Sequence, residues 1–344
     1  MENLRCLDTF TGIGGMGRLL PFHPIAFCEK AAFPRSVLQS RMESGDLPTV
    51  PIHEDITTLD PPEHDILIGG FPCQDISSFG LKKGFEGEKS SLYYHILRIV
   101  RLKHPKYVFL ENVAHILNMP NVWQPVLTTL SAEGYDLKWC LFGANSAGAF
   151  HRRNRWFILG TRTGQNYTAG EMPQKMHKFG QMVAGIYSTV PDPKVPRTRL
   201  SKPLVMKHFD GVECNGVINT NVIKRTIWNT PRATGGTRAV RNKTTRSMSD
   251  LPNQLRFATS TPPADRHFCG NLKWVENLMG LPAGWTSPDC KHVEDFPGFG
   301  IEAYKRMLPG KQHNYYKRWK TLGNMCVSQQ SLLAYRYLTG AHLG

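Results

Sequence analysis

Leu4-Arg5-Cys6-Leu7-Asp8-Thr9-Phe10-Thr11-Gly12-Ile13-Gly14-Gly15-Met16-Gly17 decides the fold. Residues 4–10 read as a buried strand, and glycines 12, 14 and 17 follow it in a G-x-G-x-x-G pattern. A glycine turn between a strand and a helix lets a ligand approach the backbone and places a helix N-terminus beside it. Working outward, strand-like and helix-like segments alternate over the first 160 residues, the mark of an α/β domain. Strands are expected at 25–29, 65–69, 107–110, 135–142 and 155–160. Helices are expected at 31–41, 92–103 and 122–133, the last stopped by Gly134.

The polar residues fall at strand ends. Glu29 ends the second strand and suits ribose hydroxyls. Asp55 and Ile56 precede the next strand and could meet an adenine. The apolar run Ile66-Leu67-Ile68-Gly69-Gly70 enters Phe71-Pro72-Cys73-Gln74, which lifts a thiol off the sheet edge where it can attack an electrophilic carbon. For that cysteine alone, a buried structural thiol is the commoner fate. Glu111, in Phe109-Leu110-Glu111-Asn112-Val113, is an acid directly after an apolar strand. Burial there raises its pKa and suits it to donate a proton. In His151-Arg152-Arg153-Asn154-Arg155, alternation sends Arg153 and Arg155 to one face, where they could hold a carboxylate, phosphate or base oxygen.

The chain has 344 residues and a net charge of +15. Residues 162–256 hold 16 Lys or Arg against 5 Asp or Glu, an excess of eleven. That field attracts a polyanion. Residues 162–270 are rich in Pro, Gly, Thr and Asn and weakly periodic, so a smaller loop-rich domain is expected there. Residues 274–285 are compact and apolar, 321–324 read as a turn, and 327–338 as a closing helix. No membrane span or signal peptide is expected. The eight cysteines include no C-x-x-C pair, which suggests reduced thiols and an intracellular setting. His267-Phe268-Cys269 and Cys290-Lys291-His292 offer two Cys and two His, but at a spacing unlike common zinc modules, and no metal is expected.

The order of these motifs resembles the cytosine-5 DNA methyltransferase family over nearly the whole chain. Phe10-Thr11-Gly12-Ile13-Gly14-Gly15 is similar to its S-adenosylmethionine turn, Gly70-Phe71-Pro72-Cys73-Gln74 to its nucleophile loop, and Glu111-Asn112-Val113 to its acid motif. The 151–155 stretch resembles its arginine motif, which usually begins with Gln and has Glu at the place of Asn154. Residues 274–282 and Leu322-Gly323-Asn324-Met325 resemble its last two motifs, the final one often having Ser or Ala where Met325 stands. Lys89-Ser90-Ser91-Leu92 departs from the usual Arg-Gly-x-Leu.

The resemblance implies a Rossmann-like methyltransferase fold, with a mostly parallel sheet flanked by helices and a smaller target-recognition domain. It divides the chain into 1–161 plus 315–344, catalytic and cofactor-binding, and 162–314, DNA-binding. It implies Cys73, Glu111, Arg153 and Arg155 as catalytic residues. Phe10, Gly12, Ile13, Gly15, Glu29, Asp55, Ile56, Pro72, Leu92 and Asn324 are the implied S-adenosyl-L-methionine site. The implied substrate is double-stranded DNA with the cytosine flipped out of its stack. A cognate restriction endonuclease that need not touch it, a monomeric state, and a cytoplasmic, nucleoid-associated or host-intracellular location complete the expectation. Thr230-Pro231-Arg232-Ala233-Thr234-Gly235-Gly236 is a candidate recognition loop or a plain surface turn.

Four alternatives stand beside this reading. Asp60-Pro61-Pro62 is superficially like an amino-methyltransferase signature, but Glu63 replaces its aromatic and the triplet precedes the strand. A nicotinamide oxidoreductase leaves Cys73 and Glu111 unexplained, and a DNA-binding module with a decayed site has no use for them. An RNA cytosine methyltransferase of related architecture is the runner-up, although its usual Cys-Phe-Thr is missing.

Overall fold

The computed structural model describes residues 4–72, 92–147, 149, 151–164, 204–209, 212–218, 272–293 and 314–340. Among them, nine strands form one sheet: β1 (Arg5–Thr9), β2 (His23–Cys28), β3 (Ile52–His53), β4 (Ile66–Gly70), β5 (Tyr107–Val113), β6 (Tyr135–Phe142), β7 (Arg155–Arg162), β8 (Leu204–Phe209) and β9 (Val212–Ile218). Their order is β3-β2-β1-β4-β5-β7-β6-β9-β8. The β3 to β5 half is parallel throughout. β7 runs antiparallel to both β5 and β6.

The central strands are buried on both faces, which their apolar runs require. Leu7, Leu67, Val108 and Leu110 point to one face, where they pack with Tyr93, Ile96 and Val100 of helix α2 (Leu92–Lys103), and with Val122, Val126 and Leu130 of α3 (Pro120–Ala132). Cys6, Ile66, Ile68 and Phe109 point to the other face, against Ala334, Tyr335 and Leu338 of a C-terminal helix spanning Ser328–Thr339. The strict period of two in the sequence produces this division. A third cluster joins Ile13 and Phe27 to Val37 and Leu38 of α1 (Ala32–Glu43), and to Trp274 and Val275 of α4 (Leu272–Leu278). Trp319 and Leu322 of α5 (Tyr315–Asn324) complete it. The C-terminal helix is α6.

The fold class is as expected, and most elements lie within two residues of their predicted positions. Three differences bear on the site. Residues 321–324 are the last turn of α5, not an isolated turn. β5 continues to Val113, so Glu111 lies inside a strand rather than after it. The weakly periodic basic segment contains β8 and β9, and β9 pairs in parallel with β6. The stretch 272–285 packs on the sheet's cofactor half: the Trp285 indole N–H donates to the Ile13 carbonyl at 2.9 Å. No helix among the described residues is long and apolar enough to cross a membrane.

Candidate active site

The parallel strands β1, β2 and β4 end on one edge of the sheet, the edge where such folds bind ligands. β7 is antiparallel and therefore begins at that same edge. A cavity of about 570 Å³ opens there. It is lined by Phe10, Gly12, Ile13 and Gly15 after β1, Glu29 after β2, Asp55 and Ile56 after β3, and Pro72 after β4. Leu92 at the start of α2 and Asn324 at the end of α5 close it, together with Glu111 of β5. All ten residues expected to hold a cofactor thus share one space with the expected acid. Cys73 lies outside the described residues, as do Lys89 to Ser91, the 230–236 stretch, His267 and Cys269; Pro72, immediately before Cys73, lines the cavity.

The turn is held open by its own chemistry. Phe10 takes φ 53°, a left-handed conformation that a bulky residue adopts only under constraint, and Gly12 follows at φ 58°. Glu29 fixes this geometry. Its carboxylate accepts the Gly12 N–H at 2.8 Å through one oxygen and the Ala31 N–H at 2.8 Å through the other. It therefore braces the turn as well as facing the cavity, and each oxygen keeps a further lone pair for a ligand hydroxyl. Asp55 accepts the Thr57 N–H at 2.9 Å and pairs with Lys30 at 3.0 Å. These contacts, the Thr57 bond first, hold its pKa down at about 2.

Glu111 is a buried acid facing the cavity. It opposes Gly70 on β4, where a Cβ would stand 2.8 Å from its carboxylate, so glycine is needed at 70 for this side chain to lie where it does. Burial raises the Glu111 pKa, and the positive charges of Arg155 and Arg153 oppose that rise. Arg155 sits opposite Val113 in the β5–β7 register, a diagonal neighbour of Glu111, and its Nε is 2.5 Å from the carboxylate. Arg155 is the charged partner of this buried carboxylate oxygen among the described residues.

Arg153 stands just before the strand, and its charge reaches Glu111 as that of Arg155 does. It precedes β7 with φ 36°, so strand alternation does not set its direction. Its buried guanidinium donates to the Met325 carbonyl at 3.0 Å and 2.5 Å and to the Gly323 carbonyl at 3.0 Å. Arg153 thus ties the end of α5, with Asn324, to the base of β7. His151 is fully buried, and burial lowers its pKa to about 3. Its Nε2 is 3.0 Å from the Leu278 carbonyl, a bond the neutral ring donates.

Lys317, Lys320 and Thr321 of α5 also line the cavity, as do Cys28 and Cys326. Sequence reasoning did not find them. Lys317, Thr321 and Asn324 follow the i, i+4, i+7 period of one helix face, a signal that reading 321–324 as a turn concealed. Cys290 is a free thiol whose Sγ is 2.9 Å from the His292 carbonyl oxygen. The described residues contain no cluster of three or more metal-ligating side chains.

Residues 4–285 match the family described as C-5 cytosine-specific DNA methylase. The type II methyltransferase M1.ScrFI of Lactococcus lactis subsp. cremoris is 34% identical over 207 residues, which are 55% of this chain and 50% of that protein. The type II methyltransferase M.CviJI of Paramecium bursaria Chlorella virus IL3A is 32% identical over 166 residues, 46% of this chain and 44% of that one. The chain therefore spans about half the length of the curated relatives it matches. The solved structure of the Entamoeba histolytica methyltransferase EhMeth has the same fold, with a TM-score of 0.52 at 10% identity, covering 99% of both chains. The match over most of the sequence, with the cavity built from the same turns, shows that the chain belongs to the C-5 cytosine-specific DNA methylase family.

Proposed function

We propose that this protein transfers a methyl group from S-adenosyl-L-methionine to carbon 5 of a flipped-out cytosine in double-stranded DNA. One observation carries the reading: a buried carboxyl group, paired with Arg155, faces the same cavity as the glycine turn. The residues present fit the cofactor. The cavity is large enough for a nucleoside, Asp55 and Glu29 offer acceptors for its amine and hydroxyls, and Phe10, Ile56 and Leu92 offer apolar walls. When bound, S-adenosyl-L-methionine supplies an electrophilic methyl group.

The chain's own residues do the rest. Carbon 5 of cytosine is a poor nucleophile. The Cys73 thiolate forms a bond to carbon 6, and the ring electrons move toward N3, making carbon 5 enamine-like. Glu111, whose pKa burial raises, hydrogen-bonds N3 and delivers a proton as charge develops there. Arg155 holds the base O2 and steadies the Glu111 carboxylate. Arg153 keeps the Asn324 segment in place. Loss of the carbon-5 proton and expulsion of the Cys73 thiolate then restore the aromatic ring. Residues 1–161 with 315–344 form the catalytic unit, and 162–314 provides DNA recognition, with 272–293 as its anchor on the sheet.

Bisulfite sequencing of DNA from cells expressing the protein tests this directly. The expected result is protected cytosines in a fixed sequence context, lost in the Cys73→Ser variant while duplex binding remains. Methylation retained by that variant removes the nucleophile assignment. Transfer to an RNA cytosine with none to DNA favours the runner-up.

A further inference from the structure

Gln330 is a fully buried polar residue that the proposed chemistry does not use. It stands in the first turn of α6. Its Nε2 donates to the Phe142 carbonyl at 2.7 Å and to the Arg153 carbonyl at 2.8 Å. Phe142 is the last residue of β6, and its register partner is Arg155, the first residue of β7. One amide therefore staples the two strands where their ladder ends. Two carbonyls at Nε2 fix which way the amide points. Its Oε1 is then buried with no hydrogen-bond partner among the described residues. An aliphatic side chain would fill the space without that cost, so the donor end is what the position uses. Other residues of the same turn of α6 hold the glycine turn: Ser328 and Ser331 donate to the Gly15 and Met16 carbonyls, each at 2.7 Å.

The staple matters at Arg153, whose φ of 36° is a left-handed backbone that a residue with a side chain keeps only where its surroundings fix it. Gln330 grips the Arg153 carbonyl, while the Arg153 guanidinium grips the Gly323 and Met325 carbonyls. Two residues further on, Arg155 reaches Glu111 at 2.5 Å. We propose that Gln330 is a positioning residue for the methyl transfer, holding the entry to β7 so that the charges of Arg153 and Arg155 stay on the Glu111 carboxyl group. This rests on the role given to Glu111 above and extends it to a residue outside the cavity lining. The titratable and charged groups that act on Glu111 among the described residues are Arg155 on β7, Arg153 before it, and the Cys326 thiol. Burial pushes the Cys326 thiol up, so it stays neutral. The two arginines therefore supply the charge that opposes the rise burial imposes on the Glu111 pKa.

Gln330→Met keeps the volume and removes both donated bonds. Single-turnover methyl transfer to duplex DNA, followed across pH, reads the effect. The rate should fall about tenfold or more as the arginines lose their alignment. Its alkaline limb should move to higher pH, because the Glu111 pKa rises further when the positive charges draw back. S-adenosylhomocysteine, the demethylated cofactor, should bind within about twofold of wild type in calorimetric titration. An unmoved limb with only a lower thermal midpoint shows a merely structural role and overturns the proposal. So does an equal loss of rate and of S-adenosylhomocysteine affinity with the limb in place. If Gln330→Met does not fold, Gln330→Asn takes its place: it keeps the amide but falls one methylene short, and it must show the same movement of the limb or the proposal fails. If the wild-type protein transfers no methyl group to DNA, the reading of Glu111 itself fails and takes this inference with it.

Discussion

Glu111 shows what burial does for a single carboxyl group. In water it would be ionised at neutral pH and could donate nothing. Inside the sheet, desolvation raises its pKa, while Arg155 at 2.5 Å keeps the ionised form accessible once a proton has been passed on. The two effects oppose each other, and that balance suits an acid that must reload between turnovers. Glu111→Gln keeps the shape and a hydrogen-bond donor but has no transferable proton. Turnover should fall by about 10² or more, with S-adenosylhomocysteine affinity changed less than twofold; equal losses in both would count against the acid role. Because burial raises the Glu111 pKa, wild-type turnover should also decline as pH rises through that raised value, and a pH profile of turnover measures it. The identity of this residue was legible in the sequence, because an acid inside an apolar run is costly without a purpose. Its geometry was not legible. The Gly70 that makes room for it and the Arg155 that faces it come from separate strands, and only the register brings them together.

Among the elements, periodicity revealed those buried on both faces and concealed those that pack through few residues. β1, β4, β5, β6 and helix α2 are dense apolar segments, and their positions could be read directly. α5 carries Lys, Arg, Thr and Asn around only a narrow buried stripe of Trp319 and Leu322, so its pattern did not stand out. Arg153 and Arg155 both act on Glu111, but strand alternation is not what places Arg153, because the backbone turns over at φ 36° before the strand begins. His151 marks how this entry to β7 is secured, by its bond to the end of α4. With a native pKa near 3, it stays neutral where the unfolded chain's histidine is charged. Between about pH 6.5 and 3 the unfolded state therefore binds more protons, and stability is lost as pH falls through that window by up to about 1.4 kcal/mol per unit. His151→Gln can donate the same bond without titrating, and its acid loss should be smaller. His151→Leu should cost about 1–3 kcal/mol at pH 7 by leaving the Leu278 carbonyl unpaired. Denaturant unfolding of the three proteins at pH 7 and pH 4.5 measures both effects; identical acid sensitivity in wild type and His151→Gln would refute the assignment.

Across the molecule, charge and core are kept apart. In the sequence the basic excess lies between β7 and α4 and includes β8 and β9, which extend the sheet beside β6; the chain packs on the sheet again at α4. At the return point Glu276, fully buried, accepts the Gly284 N–H at 2.6 Å and the Thr286 N–H at 2.9 Å, and pairs with Arg318 of α5 at 2.9 Å. Arg41 of α1 reaches the same turn through the Ser287 and Cys290 carbonyls. These ties use none of the lysines and arginines of residues 162–256. The charge is then available to a polyanion, and binding must release the counterions of the DNA. If six or more phosphates are neutralised, duplex affinity should drop about 10³-fold between 50 and 200 mM salt, while S-adenosylhomocysteine affinity changes little. The contrast matters because the proposed function gives the two ligands different parts of the molecule: the cofactor a cavity whose acids are already paired, and the duplex a field that salt screens. Fluorescence anisotropy with a labelled duplex, run beside cofactor calorimetry in the same buffers, gives both slopes. A flat response for DNA would mean that the eleven excess charges of residues 162–256 do not face the duplex, and recognition would have to be sought on another surface.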